Sequence, residues 1–193
     1  MTKIALIRHG NTAWNTEKRA QGSSNIPLDE AGMAQGKKLA ERLSEESWDV
    51  LYSSDLLRAK QTAELIAAKL PPLEIHYDSR LREASGGLIE GTIESERISK
   101  WGPDWRTMDL GMEPADQVAA RGIAAMDDIV KAHQGQNILV VTHGAFIKHL
   151  LKRLIPHMDM NVPMLNTSIS MIHLDDGKWD CSLFNCAAHL DTE

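Results

Sequence analysis

The chain has 193 residues, 42% of them hydrophobic and 25% charged, with a formal net charge of −6. Those proportions suit one globular domain, residues 1–193, with a substantial core, and they exclude a disordered or fibrous chain. The acidic balance argues against a nucleic-acid partner, and no apolar run approaches the roughly 20 residues of a membrane span; the expected address is the cytoplasm, and any anion site must be local.

Ile4 to Ile7 form an apolar run that stops on Arg8-His9-Gly10. A buried strand ending on a cation, an imidazole and a residue able to take positive φ would present both side chains at the carboxyl edge of a sheet, where open α/β sheets bind ligands. The polar stretch through Trp14, Asn15, Gln21 and Gly22 to Pro27 reads as a surface loop. Asp29 offers an N-cap for a helix running to about Glu46, in which Gly32 and Gly36 point to close approach to the sheet. Asp49 to Ser53 reads as a second strand. Ser54 or Asp55 would cap the following helix, whose apolar stripe of Leu56, Ala59, Ala63, Ile66 and Leu70 ends at Pro71-Pro72. Arg58 in its first turn opposes the helix macrodipole, a penalty that a bound anion would reverse.

A short strand, Glu74 to Tyr77, leads to Leu81-Arg82-Glu83 and an irregular segment from Ala84 to Gly91. The pattern from Thr92 to Glu113 is weak, so residues 84–113 read as a lid or a small helical insertion. Pro114 at a first-turn position, then Val118, Gly122, Ala125 and Ile129 on one face, and Gly135 past the end, define a long helix. Asn137 to Thr142 is the strongest buried-strand signal and ends on His143-Gly144; a helix from Ala145 to Ile155 then stops at Pro156. Ser168 to Leu174 and Trp179 to Phe184, joined by Asp175-Asp176-Gly177-Lys178, read as a hairpin. The alternation implies an α/β fold, a three-layer α/β/α sandwich whose central sheet is mostly parallel with an antiparallel edge strand. Cys181 and Cys186 lack a metal-type spacing and read as free buried thiols.

Two apolar strands thus end in His-Gly. If they are parallel neighbours, His9 and His143 stand over one crevice, with Arg8, Arg58 and Glu83 at or just beyond strand ends. Phosphate monoesters are dianions that resist nucleophiles, so a site for them must neutralise the phosphoryl oxygens and present a nucleophile in line with the leaving group. Planar guanidinium groups suit the first role. The neutral ring of His9 suits the second if a backbone carbonyl fixes its tautomer. His143 would be cationic and stabilise the transferring group, while Glu83 would protonate the departing alkoxide and then deprotonate water.

Arg8-His9-Gly10-Asn11-Thr12 with Asn15, Gln21-Gly22 with Pro27-Leu28 and Gly32, Ser53-Ser54-Asp55-Leu56-Leu57-Arg58-Ala59 with Thr62-Ala63, Leu81-Arg82-Glu83 with Glu90-Gly91, and Val141-Thr142-His143-Gly144 follow in one order. In that order the sequence resembles the histidine phosphatase superfamily, phosphoglycerate-mutase-like branch, over nearly its whole length. The resemblance implies that His9 is the phosphorylated nucleophile and that Arg8, Arg58 and His143 complete the phosphate pocket. It implies Glu83 as proton donor, Asn15 as a supporting phosphate ligand and the Gly144 N–H as a further donor, with Gln21 and Gly22 in the same phosphate-binding set. No metal or other cofactor is expected. Ile89 stands where relatives often carry Trp, and Met112-Glu113-Pro114 matches their Gly-Glu-Ser only loosely.

Mutases of this family carry a longer, strongly basic insertion, whereas residues 92–113 hold Arg97, Lys100 and Arg106 against Glu94, Glu96, Asp104, Asp109 and Glu113. A lid of that sign favours a phosphomonoester hydrolase for a small phosphorylated metabolite over a bisphosphoglycerate-dependent phosphoglycerate mutase. A zinc hydrolase using His9, His143 and Glu83 is disfavoured by the adjacent arginines. A non-catalytic phosphate-binding module should lack a catalytic residue, and none is missing. His76, His133, His149, His157 and His173 have no matching partners, and His189 resembles a tail element without an assigned role. Trp101, Trp105, Met108 and Met112 line the substrate side of the lid or pack a small helix onto the sheet. The oligomeric state and the leaving group are not legible.

Overall fold

In the computed structural model, residues 1–191 are described. Strands β1 (Thr2–Arg8), β2 (Val50–Ser53), β3 (Ile75–Tyr77), β4 (Asn137–Thr142), β5 (Ile169–Asp175) and β6 (Lys178–Cys186) form a sheet in the order β3-β2-β4-β1-β5-β6. The first four in that order run parallel, and β5 pairs antiparallel with both β1 and β6, so the antiparallel edge is the expected hairpin. Its turn carries Asp176 and Gly177 at positive φ, as a tight hairpin turn requires. β1 lies beside β4 with Arg8 opposite Thr142, so the two His-Gly turns leave the same sheet edge side by side.

Period-two alternation divides the core. Ile4 and Leu6 of β1, with Ile138 and Val140 of β4, pack beneath α5 (Ala115–Ala132) and α6 (Gly144–Leu154) through Val118, Met126, Phe146 and Leu150. On the other face Ala5, Ile7, Leu139 and Val141 pack beneath α2 (Glu30–Leu43) and α3 (Leu57–Ala67) through Leu39, Leu43, Ala59 and Ile66. Both faces are covered, which is why β1 and β4 read as continuous apolar runs. Each fully buried Leu or Ile contributes about 1.5–3 kcal/mol, so this double burial is what holds the strand ends still.

Several expectations change. The stretch after Thr12 is not all loop: α1 (Ala13–Thr16) is one helical turn closed by a reciprocal Thr12/Asn15 capping box, too short to show periodicity. Gly10 is not among the glycines at positive φ; a Cβ there would lie 2.7 Å from the Gly32 carbonyl oxygen. The α2 glycines likewise serve approach to something other than the sheet. A Cβ on Gly32 would sit 2.1 Å from Asn11 O, and one on Gly36 would sit 2.5 Å from Leu65 Cδ1 of α3. Neither Ser54 nor Asp55 caps α3; Leu56 holds the N-cap position with no side-chain bond, because Asp55 pairs with Arg82 and Ser54 with His143. Pro114 is the N-cap of α5 rather than a first-turn residue. Cys181 and Cys186 are free but only half-buried.

The insertion contains α4 (Glu94–Trp101) and short 3-10 turns at Gly87–Ile89 and Trp105–Thr107. It does not lie on the sheet: Ile89, Trp105 and Leu110 make a small core of their own, with Ala20, Trp101 and Met112 against it. Met108 is left 45% exposed.

Candidate active site

β1 and β4 bring His9 and His143 together, with ring centroids 5.2 Å apart. His9 is 3% exposed, and its Nδ1 lies 2.7 Å from Gly10 O. A carbonyl only accepts, so Nδ1 carries the proton and Nε2 presents its lone pair. The α3 residue Arg58 confirms that polarity, because its Nε donates to Nε2 at 3.2 Å. Burial first, then Arg58 and Arg8, hold the His9 pKa well below its ordinary value, so the free ring is neutral.

Arg58 is fully buried. Its Nη1 and Nη2 donate to Ser24 O and Gly22 O, each at 2.8 Å, so the Gln21-Gly22 segment enters the site as the support for a guanidinium. Gly22 is at φ +49°, a conformation that suits glycine. Burial lowers the Arg58 pKa to about 10, against the pull of Glu83. Gln21 Oε1 is buried without a hydrogen-bond partner.

Arg8 donates from Nη1 to Met164 O, while its Nε is buried and unpartnered. Gly144, the first residue of α6, lets that guanidinium approach closely; a Cβ there would lie 3.3 Å from Arg8 Nε. His143 is fully buried, with Nε2 2.8 Å from Ser54 Oγ and Nδ1 lacking any partner. The expected cationic state is opposed by the surroundings: burial, then Arg58, His9 and Arg8, push His143 well below its ordinary pKa. A dianion between these groups would oppose those charges and favour the imidazolium. Two buried nitrogens without partners, beside two arginines, mark where acceptor oxygens belong.

Glu83 occupies the N-terminus of α6. Its Oε1 accepts from Phe146 N at 2.8 Å and Ala84 N at 2.9 Å, and its Oε2 accepts from Ala145 N at 3.1 Å. The carboxylate therefore serves as the anion at a helix N-terminus whose N-cap, His143, makes no side-chain cap. With one N–H partner, Oε2 keeps a lone pair for a proton. Arg121 of α5 anchors this loop, donating to the carbonyls of Arg80, Arg82 and Glu83 and pairing with Glu113 at 2.8 and 3.0 Å.

Asn15 Oδ1 is taken by Thr12 N and Oγ1 at 3.2 and 3.1 Å, which leaves its amide N–H groups for another acceptor. Sequence reasoning named Ser54 and Glu90 as parts of motifs, without these contacts, and missed Asn166, Thr167 and Arg121. Glu90 accepts from Ser23 N, Ser24 Oγ and Gly86 N, tying the start of the 84–113 segment to the residues that support Arg58. These are polar contacts between distant segments, with no periodic signal to reveal them. Among the described residues, no three His, Cys, Asp or Glu side chains converge as metal ligands would. None of the described helices is long and apolar enough to cross a membrane.

Residues 4–187 match the family model described as histidine phosphatase superfamily (branch 1). Phosphoglycerate mutase-like protein 4 of Arabidopsis thaliana is 38% identical over 98% of this chain and 87% of its own length. A metal-independent phosphoserine phosphatase of the same plant is 35% identical over 100% and 84%. Among solved structures, YhfR of Bacillus stearothermophilus, 30% identical, superposes with a TM-score of 0.89 over 98% of this chain and 100% of that one. A family model matched over residues 4–187 and a fold shared with these proteins have one origin: the chain belongs to the histidine phosphatase superfamily.

Proposed function

We propose that residues 1–193 act as one catalytic unit that hydrolyses small phosphorylated metabolites through a phosphohistidine on His9. The observation that carries this reading is the tautomer of His9, with Gly10 O holding the proton on Nδ1 and Nε2 facing Arg58. His9 Nε2 attacks phosphorus while Arg8, Arg58, Asn15, the Gly144 N–H and His143 take the phosphoryl oxygens. Glu83 gives a proton to the departing alkoxide, then takes one from the water that attacks phosphohistidine, and inorganic phosphate leaves.

Hydrolysis is favoured over isomerisation by the lid's own pairing. Glu94 holds Arg106 at 2.8 and 3.0 Å and Arg97 at 3.4 Å, and Lys100 rests over the Trp101 ring at 4.5 Å. Those cations are committed to groups inside the lid, which leaves little to hold the second anionic group of a bisphosphorylated intermediate. The phosphoserine phosphatase among the relatives supports a small leaving group. A cytoplasmic setting, in which Cys181 and Cys186 stay reduced, belongs to the same reading.

A panel of phosphomonoesters, with His9→Ala as blank, tests the proposal. We expect phosphate release from one or more small esters and none from the blank. Interconversion of phosphoglycerate isomers faster than phosphate release would make the chain a mutase instead.

A further inference from the structure

Behind the phosphate pocket, the main-chain carbonyl of His9 is gripped from the C-terminal part of the chain. It accepts from the Thr167 backbone N–H at 3.2 Å and from Asn166 Nδ2 at 3.1 Å. Thr167 makes this bond in an unfavourable backbone state. Its φ is +55°, where a Cβ crowds the neighbouring carbonyl, and a β-branched side chain tolerates that least.

Support comes from the tail. His189, 6% exposed, lies on the turn Ala188–Leu190, with Nδ1 3.2 Å from Arg42 Nη1 and Nε2 3.0 Å from Thr167 Oγ1. A guanidinium only donates, so Nδ1 is the acceptor and the neutral ring carries its proton on Nε2, from which it donates to Thr167 Oγ1. The Thr167 hydroxyl passes its own hydrogen to Asn166 O at 2.7 Å. Burial and the Arg42 charge hold the ring's pKa down to about 4, so this donor pattern persists at neutral pH. The direction of every hydrogen bond from Arg42 to the His9 carbonyl is therefore fixed.

We propose that His189 is a positioning residue for the nucleophile, holding the Thr167 main chain in its positive-φ conformation and thereby fixing the His9 carbonyl and ring. This rests on His9 being the nucleophile, but its structural half can be tested without turnover. In His189→Ala, Thr167 loses its donor and relaxes. With an aryl phosphate we expect kcat to fall on the order of ten- to a hundredfold, the range that small misplacements of a reacting group produce. Competitive inhibition by inorganic phosphate, which reads the arginine pocket, should change far less than kcat. His189→Gln keeps an N–H donor towards Thr167 and should recover most of the rate. Thr167→Gly takes positive φ unaided, so adding it to His189→Ala should raise kcat above that of His189→Ala alone.

Amide hydrogen exchange supplies the second reading: the Thr167 N–H should be protected in wild type and exchange faster in His189→Ala. Should wild type hydrolyse no ester, the functional reading fails while the exchange experiment still judges the positioning claim. Thr167 protection unchanged by His189→Ala overturns the proposal. So does a rate loss that tracks only the fraction of folded protein and that Thr167→Gly leaves uncorrected.

Discussion

His9 is held by two neighbours with opposite demands on its ring. Gly10 O accepts a hydrogen bond from Nδ1–H, and Arg58 Nε points its own hydrogen at Nε2. On the proposed mechanism, Arg58 without substrate stabilises the lone pair that attacks, and with substrate its charge is turned to the phosphoryl group. Removing it should therefore act twice. Arg58→Gln should lower kcat/KM by about a hundredfold or more, as loss of one preorganised donor does, in steady-state assays with an aryl phosphate. The same change should raise the pKa of His9 and His143, because the Arg58 charge lowers both, and imidazole proton shifts followed by NMR would show it. Both histidines and both arginines stood out because each is at a strand end or helix start in an otherwise apolar pattern, whereas Glu83, in an irregular segment, stood out only through Leu81-Arg82-Glu83 as a motif. The roles of Ser54, Asn166, Thr167 and His189 did not stand out, since they come from contacts across many residues of chain that leave no local mark.

Strands β1 and β4 announce themselves in sequence, but the pieces that aim the chemistry are short. Arg82 to Ser85, beyond the 3-10 turn Ser79–Leu81, has no regular structure to fix it, so Arg121 does so through three carbonyls and Glu113. Arg121→Ala should destabilise the fold by about 1–3 kcal/mol, since it removes hydrogen bonds to three half-buried or exposed carbonyls and to the Glu113 carboxylate. Its loss in kcat should exceed any change in phosphate inhibition, because it frees the Glu83 loop and leaves the arginines in place; denaturant unfolding and steady-state kinetics read the two effects. In α2, Gly32→Ala would force a Cβ to within 2.1 Å of Asn11 O, two residues after His9. We expect a loss of about 1–3 kcal/mol from such overpacking, together with reduced turnover. The glycines of α2 were visible in the sequence, but their purpose was not: helical spacing shows which face is turned inward, not which neighbour meets it. Residues 84–113 gave only a weak pattern for a related reason, as their small core is formed by Ile89, Trp105 and Leu110 from separate short segments.

At the scale of the whole molecule, the layer order, the parallel centre and the hairpin edge followed from the alternation of apolar runs and helical stripes, because burial on both faces imposes that alternation. The site, by contrast, leaves an imprint on stability that sequence alone does not give. His9 and His143 are neutral in the fold and titrate well below the 6.5 of a free imidazole. Below that value the unfolded chain binds more protons, so stability should fall as pH drops through about 6.5. Asp55 and Glu113, held low chiefly by Arg82 and Arg121, add their loss only at the lower pH of carboxylate titration. Calorimetry should show the melting temperature falling by about 2–4 °C for each kcal/mol lost. Inorganic phosphate should lessen the fall across the histidine range, because it favours the charged rings.

All of this converges on a covalent bond between phosphorus and one nitrogen. Rapid quenching of the wild-type protein during turnover of a phosphorus-labelled ester, followed by peptide mapping, asks for that bond directly. The expected result is acid-labile, alkali-stable label on His9 that forms before phosphate is released and is lost in His9→Ala. Steady turnover without label on His9, or an equally active His9→Ala, would contradict the account.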